Sequence, residues 1–136
     1  MALPGFHIYL ASKVFEKPIA SIHYDLQHEL AGFARPGEEI AGILSFTLVT
    51  ALPLQGGGLN WWNLPRQKVN TLSQAEKLSY LQNNKQFFPY QLGYLYTHSG
   101  KILHQAAPGV DLQPDDQRIT LQGHAFLRNN VWVLYW

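Results

Sequence analysis

The sequence predicts a mainly all-β fold, a jelly roll (double-stranded β-helix) with one inserted helix, formed by residues 1–136 as a single domain. About eight or nine short segments with strand character are separated by turn residues. Four Trp, seven Tyr and seven Phe fall mostly in those segments, which favours strands. A chain of 136 residues is long enough for one core and too short for two domains.

The first part of the chain contains two predicted strands followed by a wide turn. Phe6 to Leu10 is apolar and aromatic and suits a first strand. From Ile19 to Gln27, apolar and polar residues alternate, which is the period of a strand with one polar face. His28 to Glu39 contains glycine, proline and two adjacent glutamates, so it is predicted to be a loop. The polar face of the Ile19 to Gln27 segment is expected to point inward, because a cavity that binds a metal needs polar side chains on its wall.

A long apolar strand and a glycine-rich turn come next. Ala41 to Leu52 is apolar and β-branched, and Pro53 followed by three glycines ends it. Leu59 to Leu64 is therefore expected to pair back on this strand as a hairpin partner.

One segment has convincing helical periodicity, from Arg66 to Asn84. Its capping box is formed either by Thr71 with Gln74 or by Ser73 with Glu76. The remaining predicted strands are Gln91 to Thr97, Lys101 to His104, Arg118 to Phe126 and Val131 to Trp136, the last two joined by a turn at Asn129-Asn130.

Composition excludes several classes of function. The chain has no cysteine, so disulfides, thiolate metal sites and cysteine nucleophiles are absent, and a metal site must use histidine and carboxylate. Ten basic residues balance nine acidic ones without a basic run, so a nucleic-acid patch is not expected. No signal peptide or membrane-length apolar run is evident, and a cytoplasmic location without membrane contact is expected.

Three residues have the pattern of a metal site. His23 and Asp25 lie two apart in a predicted strand and therefore project from one face. His104, at the end of a distant strand, supplies a third ligand. Two imidazoles and one carboxylate leave the remaining coordination positions open, the arrangement used for non-heme Fe(II) oxygen chemistry.

At these positions the sequence resembles the Fe(II)- and 2-oxoglutarate-dependent dioxygenases, which carry H-x-D, a distal H and then R-x-[ST]. The resemblance covers nearly the whole chain. The matching residues are His23-Tyr24-Asp25, the stretch GILSFTLVTALPLQGGGLNWW, LHQAAP around His104, and Arg118-Ile119-Thr120.

The resemblance implies that His23, Asp25 and His104 bind Fe(II) and form the catalytic centre, while Arg118 and Thr120 bind 2-oxoglutarate. It implies hydroxylation of a small-molecule or peptidyl substrate, with release of succinate and carbon dioxide. Relatives that halogenate lack the carboxylate, so Asp25 favours hydroxylation, or demethylation through it. Only 22 residues precede His23, fewer than relatives usually have. Either the domain is minimal, or a partner subunit, as in a homodimer, covers an exposed sheet face.

The residues alone leave alternatives at each position. His98 and His124 compete with His104 as third ligand but fit the pattern less well, and are expected to be rim or surface histidines; His7 and His28 are expected at the surface. Arg118 alternatively points outward to Asp115 or Asp116.

A cupin-like metal- or sugar-binding protein without catalysis is the competing function. In it, Trp61 or Trp62 is a stacking platform, and only one of the two neighbours can face the pocket. Other residues that are candidates to line the pocket are Gln27, Tyr9, Tyr94 and Tyr96.

Overall fold

The computed structural model describes residues 5–30, 32–34, 36, 38, 40 and 42–136. Within them, eight antiparallel strands form two sheets, which confirms the predicted jelly-roll class. In chain order the elements are β1 (Gly5–Leu10), α1 (Gln27–Leu30), β2 (Ile43–Ala51), β3 (Leu59–Trp62), α2 (Arg66–Val69), α3 (Gln74–Asn83), β4 (Gln86–Phe88), β5 (Leu95–His98), β6 (Leu103–Ala106), β7 (Gln117–Arg128) and β8 (Val131–Tyr135).

The larger sheet is organised around β7, its longest strand, with 12 residues. The strand order is β1-β7-β2-β5, and β8 also pairs with β7. β1 pairs with residues 117–122 and β8 with residues 124–128, so these two strands lie end to end beside β7. Because side chains alternate along a strand, Arg118 and Thr120 both point to the buried side of this sheet.

The other face of the larger sheet is apolar and exposed. Phe6, Ile8 and Leu10 of β1 are 58%, 58% and 62% exposed, and Leu95 of β5 and Leu134 of β8 are also exposed. Contiguous exposed apolar surface generally marks a contact with other protein. The sequence-based expectation that a partner covers this face stays a prediction.

The smaller sheet has the strand order β4-β3-β6 and lies opposite the larger one. The predicted hairpin between β2 and β3 is wrong, because β3 pairs with β4 and β6 instead. The connection from residue 52 to residue 58 exceeds hairpin loops of roughly two to five residues. Within it, Gly56 and Gly57 have positive φ of 78° and 70°, which lets the chain turn away toward the second sheet.

The predicted strand from Ile19 to Gln27 is also wrong as a continuous element. Only His23 forms a bridge, with His104, and Gln27 already begins α1. The segment that pairs with it turns at Gly100, whose carbonyl oxygen accepts a hydrogen bond from the Asp25 N–H at 2.9 Å, so the pairing ends there. The predicted loop from His28 to Glu39 starts inside α1, and Ala31, Arg35, Gly37 and Glu39 lie outside the described residues.

The single predicted helix from Arg66 to Asn84 is divided into α2 and α3. Of the two proposed capping boxes, the one with Ser73 and Glu76 is present and starts α3. The helical segment packs on the smaller sheet through a core of Trp62, Leu64 and Leu103. In the described part of the chain, no helix has both the length and the apolar character needed to cross a bilayer.

Candidate active site

The structure brings the three predicted metal ligands together between the two sheets. His23 Nε2 lies 3.3 Å from Asp25 Oδ1, and His104 Nε2 lies 3.4 Å from Asp25 Oδ2. One donor atom from each residue lies within 4.8 Å of the others. A single metal ion can therefore contact all three side chains.

Backbone pairing explains how residues from distant parts of the chain reach this arrangement. His23 and His104 form an isolated antiparallel bridge and exchange two N–H···O bonds of 3.0 Å each. Asp25 lies two residues after His23, and its N–H donates to the Gly100 carbonyl oxygen at 2.9 Å, which leaves its carboxylate within 3.4 Å of both imidazoles. The bridge thus sets all three ligands relative to one another.

The backbone also fixes which nitrogen of each imidazole faces the centre. His23 Nδ1 lies 3.0 Å from the Ser21 carbonyl oxygen, and His104 Nδ1 lies 2.8 Å from that of Ile102. A carbonyl oxygen only accepts hydrogen bonds, so both Nδ1 atoms carry the proton. In the neutral rings, Nε2 then presents a lone pair toward Asp25, the tautomer that a metal requires.

The pKa shifts of the three candidate ligands favour an ionised Asp25 beside the two imidazoles. Burial raises the pKa of Asp25, but the hydrogen bond from His23 and the charge that His104 carries in acid outweigh it and hold that pKa well below its usual range. Burial lowers the pKa of His104 to about 4, so its ring is neutral at pH 7. The hydrogen bond to Asp25 raises the pKa of His23. Asp25 is thus ionised and available as a ligand at neutral pH.

Arg118 is a fully buried cation, so it does not point outward to Asp115 or Asp116. Its Nε donates to the Gly57 carbonyl oxygen at 2.7 Å, while its buried Nη2 has no hydrogen-bond partner within the described part of the chain. Among the described residues, no carboxylate forms an ion pair with it. Since an unpaired buried charge is costly, this guanidinium is suited to bind an anion.

Tyr9 and Tyr90 flank the guanidinium, with its central carbon 5.5 Å and 5.9 Å from their ring centres. The Thr120 hydroxyl is fully buried and accepts a 3.3 Å hydrogen bond from Arg118 Nη1. It also accepts a bond from Gln122 Nε2 at 3.2 Å. Thr120 therefore orients Arg118, and its predicted direct contact with a co-substrate stays a prediction.

A cavity of about 320 Å³ joins the two halves of the site. The three candidate ligands and Arg118 all line it, so a small molecule inside can reach the metal position and the guanidinium together. This volume lies in the range of ligand pockets, roughly 300 to 1,000 Å³.

Three further histidines, His7, His98 and His124, line the cavity. His7 is exposed and His98 and His124 are partly buried, which is compatible with the expected surface or rim positions. His28 is buried at 9% exposure, so the expectation of a surface position is wrong for that residue. The His98 ring lies 4.7 Å from that of His104, and His124 Nδ1 lies 4.0 Å from Asp25 Oδ2. The sequence of β7 contained a signal for His124, because it lies an even number of residues from Arg118 and therefore faces the same side of the strand.

The other candidate lining residues lie in four different places. Gln27 and Tyr9 line the cavity, whereas Tyr94 is 59% exposed. Trp62 is buried beneath α3 and donates from Nε1 to the Leu81 carbonyl oxygen at 2.8 Å. Trp61 lines a separate apolar pocket together with Tyr96.

No family model matches the chain, and no curated protein matches its sequence. Two solved structures of an N-substituted L-amino acid dioxygenase from Burkholderia ambifaria AMMD are similar to it, one of them in complex with alpha-KG, which is 2-oxoglutarate. Each has a TM-score of 0.59 and 14% sequence identity, and the match covers 98% of this chain.

The chain spans 52% of the length of that dioxygenase. At 14% identity the likeness establishes the fold, a β-rich architecture shared with a dioxygenase. The chemistry of this chain has to be argued from its own residues, of which the His-Asp-His group and the buried Arg118 are the principal ones.

Proposed function

We propose that this protein is a non-heme Fe(II)- and 2-oxoglutarate-dependent dioxygenase that hydroxylates a substrate and releases succinate and carbon dioxide. The donor set fits Fe(II), because His23, His104 and Asp25 offer two imidazole nitrogens and one carboxylate beside an open cavity. Those three residues would hold the metal.

The observation that carries the proposal is Arg118 on the same cavity as that donor set. Its unpartnered Nη2 is a buried donor in need of an acceptor. A guanidinium grips a carboxylate through charge-assisted hydrogen bonds, so the far carboxylate of 2-oxoglutarate fits this position. We assign Arg118 to the co-substrate, with Thr120 orienting it.

When bound, iron and 2-oxoglutarate supply the oxidising chemistry. The protein's residues orient the metal ligands and shield the Arg118 guanidinium from water. The Ser21 and Ile102 carbonyl oxygens hold the rings of His23 and His104 with Nε2 directed to the centre. Tyr9 and Tyr90 cover the guanidinium and reduce its contact with water, which strengthens its attraction for an anion.

We propose a small molecule or a peptidyl side chain as substrate. The similar structures belong to an enzyme named for N-substituted L-amino acids, which supports placing substituted amino acids first in a screen of stimulated succinate release. A cupin-like binder without catalysis is the weaker candidate, because metal or sugar binding alone has no need for a buried arginine on the cavity wall.

The test is anaerobic addition of Fe(II) and 2-oxoglutarate, followed by the weak visible charge-transfer band of their chelate. Oxygen is then admitted and succinate is measured. We expect the band and succinate in the wild type, loss of both in Asp25→Ala, and a band strongly reduced in Arg118→Ala.

The matched control is Arg66→Ala, which removes an exposed arginine paired with Glu29 and is expected to leave both signals intact. A wild type without the band, or a band indifferent to Arg118→Ala, would favour the non-catalytic binding protein.

A further inference from the structure

A second cavity, of about 230 Å³, lies beside the candidate active site. Four aromatic side chains line it, Trp61, Phe88, Tyr90 and Tyr96, together with the aliphatic Ile102. Among the residues that the structure describes, no carboxylate, lysine or arginine lines it. We call it the aromatic pocket.

The aromatic pocket adjoins the cavity that the three candidate metal ligands line. Leu59 and His98 line both spaces. Trp61 lies directly opposite His104 in the ladder between β3 and β6, and the His98 ring is 4.7 Å from the His104 ring. A group in the aromatic pocket is therefore separated from the candidate metal site by one layer of side chains.

Contacts among its rings hold the pocket in shape. The Tyr90 and Tyr96 rings stack with centres 4.5 Å apart, and Phe88 meets Tyr96 edge-on at 5.5 Å. The Tyr96 hydroxyl accepts a 2.8 Å bond from the Gln91 N–H and is therefore engaged by the protein. The pocket offers a ligand mainly ring faces and edges.

Tyr90 also separates two kinds of binding site. Its ring lines the aromatic pocket and lies 5.9 Å from the Arg118 guanidinium. An anion at Arg118 and an apolar group in the aromatic pocket therefore do not compete for the same space. This division is what an enzyme with a charged co-substrate and a separate primary substrate requires.

We propose that the aromatic pocket binds an uncharged aromatic or branched aliphatic group of the primary substrate and holds the atoms attached to it beside His98. Charged groups are disfavoured because the described lining residues carry no opposite charge to replace their water. An apolar cavity of about 150 Å³ suffices for benzene, so the volume here is adequate. As a substrate site this rests on the proposed function, whereas the binding itself is measurable without turnover.

The first experiment measures binding of N-acetyl-L-phenylalaninamide to the metal-free protein by ligand-observed NMR, with N-acetylglycinamide as the probe that lacks the ring. We expect only the phenyl compound to bind, and Phe88→Ala to weaken it at least about fivefold through the lost ring contact. Phe87→Ala is the matched control, since neighbours on β4 face opposite ways.

Ile102→Trp fills the pocket and is expected to abolish binding, with an unchanged circular dichroism spectrum showing that the variant is folded. Absence of phenyl binding in the wild type overturns the inference. Equal losses in Phe87→Ala and Phe88→Ala overturn it as well.

The second experiment tests proximity by adding Mn(II), with Zn(II) as the diamagnetic control. We expect Mn(II) to broaden the phenyl resonances of the bound probe, and Asp25→Ala to abolish the broadening. Phenyl binding without any metal uptake contradicts the proposed function and leaves the pocket supported. Metal uptake with phenyl resonances unaffected by Mn(II) contradicts the pocket alone.

Discussion

His23 and His104 exchange both backbone hydrogen bonds, each 3.0 Å between nitrogen and oxygen, across a bridge outside the named strands. The candidate metal site therefore depends on a short pairing and not on a long ladder. Short pairings open more readily than the interior of a sheet, since fewer neighbouring bonds must break with them. The metal would join the two segments a second time, through their side chains.

Metal binding is accordingly expected to slow hydrogen exchange at the bridge. The amides of His23, Asp25 and His104 should exchange measurably more slowly with Mn(II) present, because the ion stabilises the closed pairing. Hydrogen-exchange mass spectrometry checks this, with the centre of β7 as an internal reference that is protected in both states. Identical exchange with and without the ion would mean that the metal does not bind across the bridge.

Gly100 is the residue on which the position of Asp25 depends. A Cβ at this position would lie 2.5 Å from the Asp25 carbonyl oxygen and 3.3 Å from its Cβ. Gly100→Ala must therefore displace Asp25, and we expect metal affinity to fall at least about tenfold, since misplacing a functional group by about 1 Å is costly.

The control for Gly100→Ala is Gly5→Ala, where the nearest atom to an added Cβ is 4.0 Å away. Calorimetric titration with Zn(II) compares the two. Equal affinities in both variants would show that the site tolerates displacement of Asp25.

The local pairs of the site were predictable from strand geometry, whereas its long-range members, His104 and Arg118, were joined to them only through the family resemblance. Residues two apart share a face of an extended chain, which is why His23 with Asp25 and Arg118 with Thr120 were recognised as pairs. Burial of His28 was missed because it depends on how distant segments pack. The sheet that β3 joins is likewise decided by its partners β4 and β6, far along the chain.

Metal affinity is expected to rise with pH, and the sign follows from His23. Its pKa is raised above 6.5 by the hydrogen bond to Asp25, so near pH 6.5 the metal-free site holds a proton on this ring. A metal must displace that proton, and affinity should increase up to about tenfold per pH unit until the pKa of His23 is passed. His104, with a pKa of about 4, contributes no proton in this range.

Titration calorimetry in two buffers of different ionisation enthalpy counts the released proton directly. Because the pKa of His23 is raised above 6.5, we expect more than half a proton per Zn(II) at pH 6.5 and fewer at pH 8. Affinity and proton release that stay constant from pH 6.5 to pH 8 would contradict the assignment of His23 as a ligand.

Arg118 is expected to make 2-oxoglutarate a stabilising ligand. With Mn(II) bound, 2-oxoglutarate at a hundredfold excess over its Kd should add about 2.7 kcal/mol to the free energy of unfolding and raise Tm. In Arg118→Met the added stability should disappear, because the carboxylate loses its charged partner while the buried volume is largely kept. The variant itself should stay folded, since a buried, unpaired cation contributes little to stability.

Differential scanning calorimetry measures both effects, with glutarate, which lacks the 2-oxo group, as the comparison ligand. An equal rise in Tm for wild type and Arg118→Met would show that the guanidinium does not hold the co-substrate.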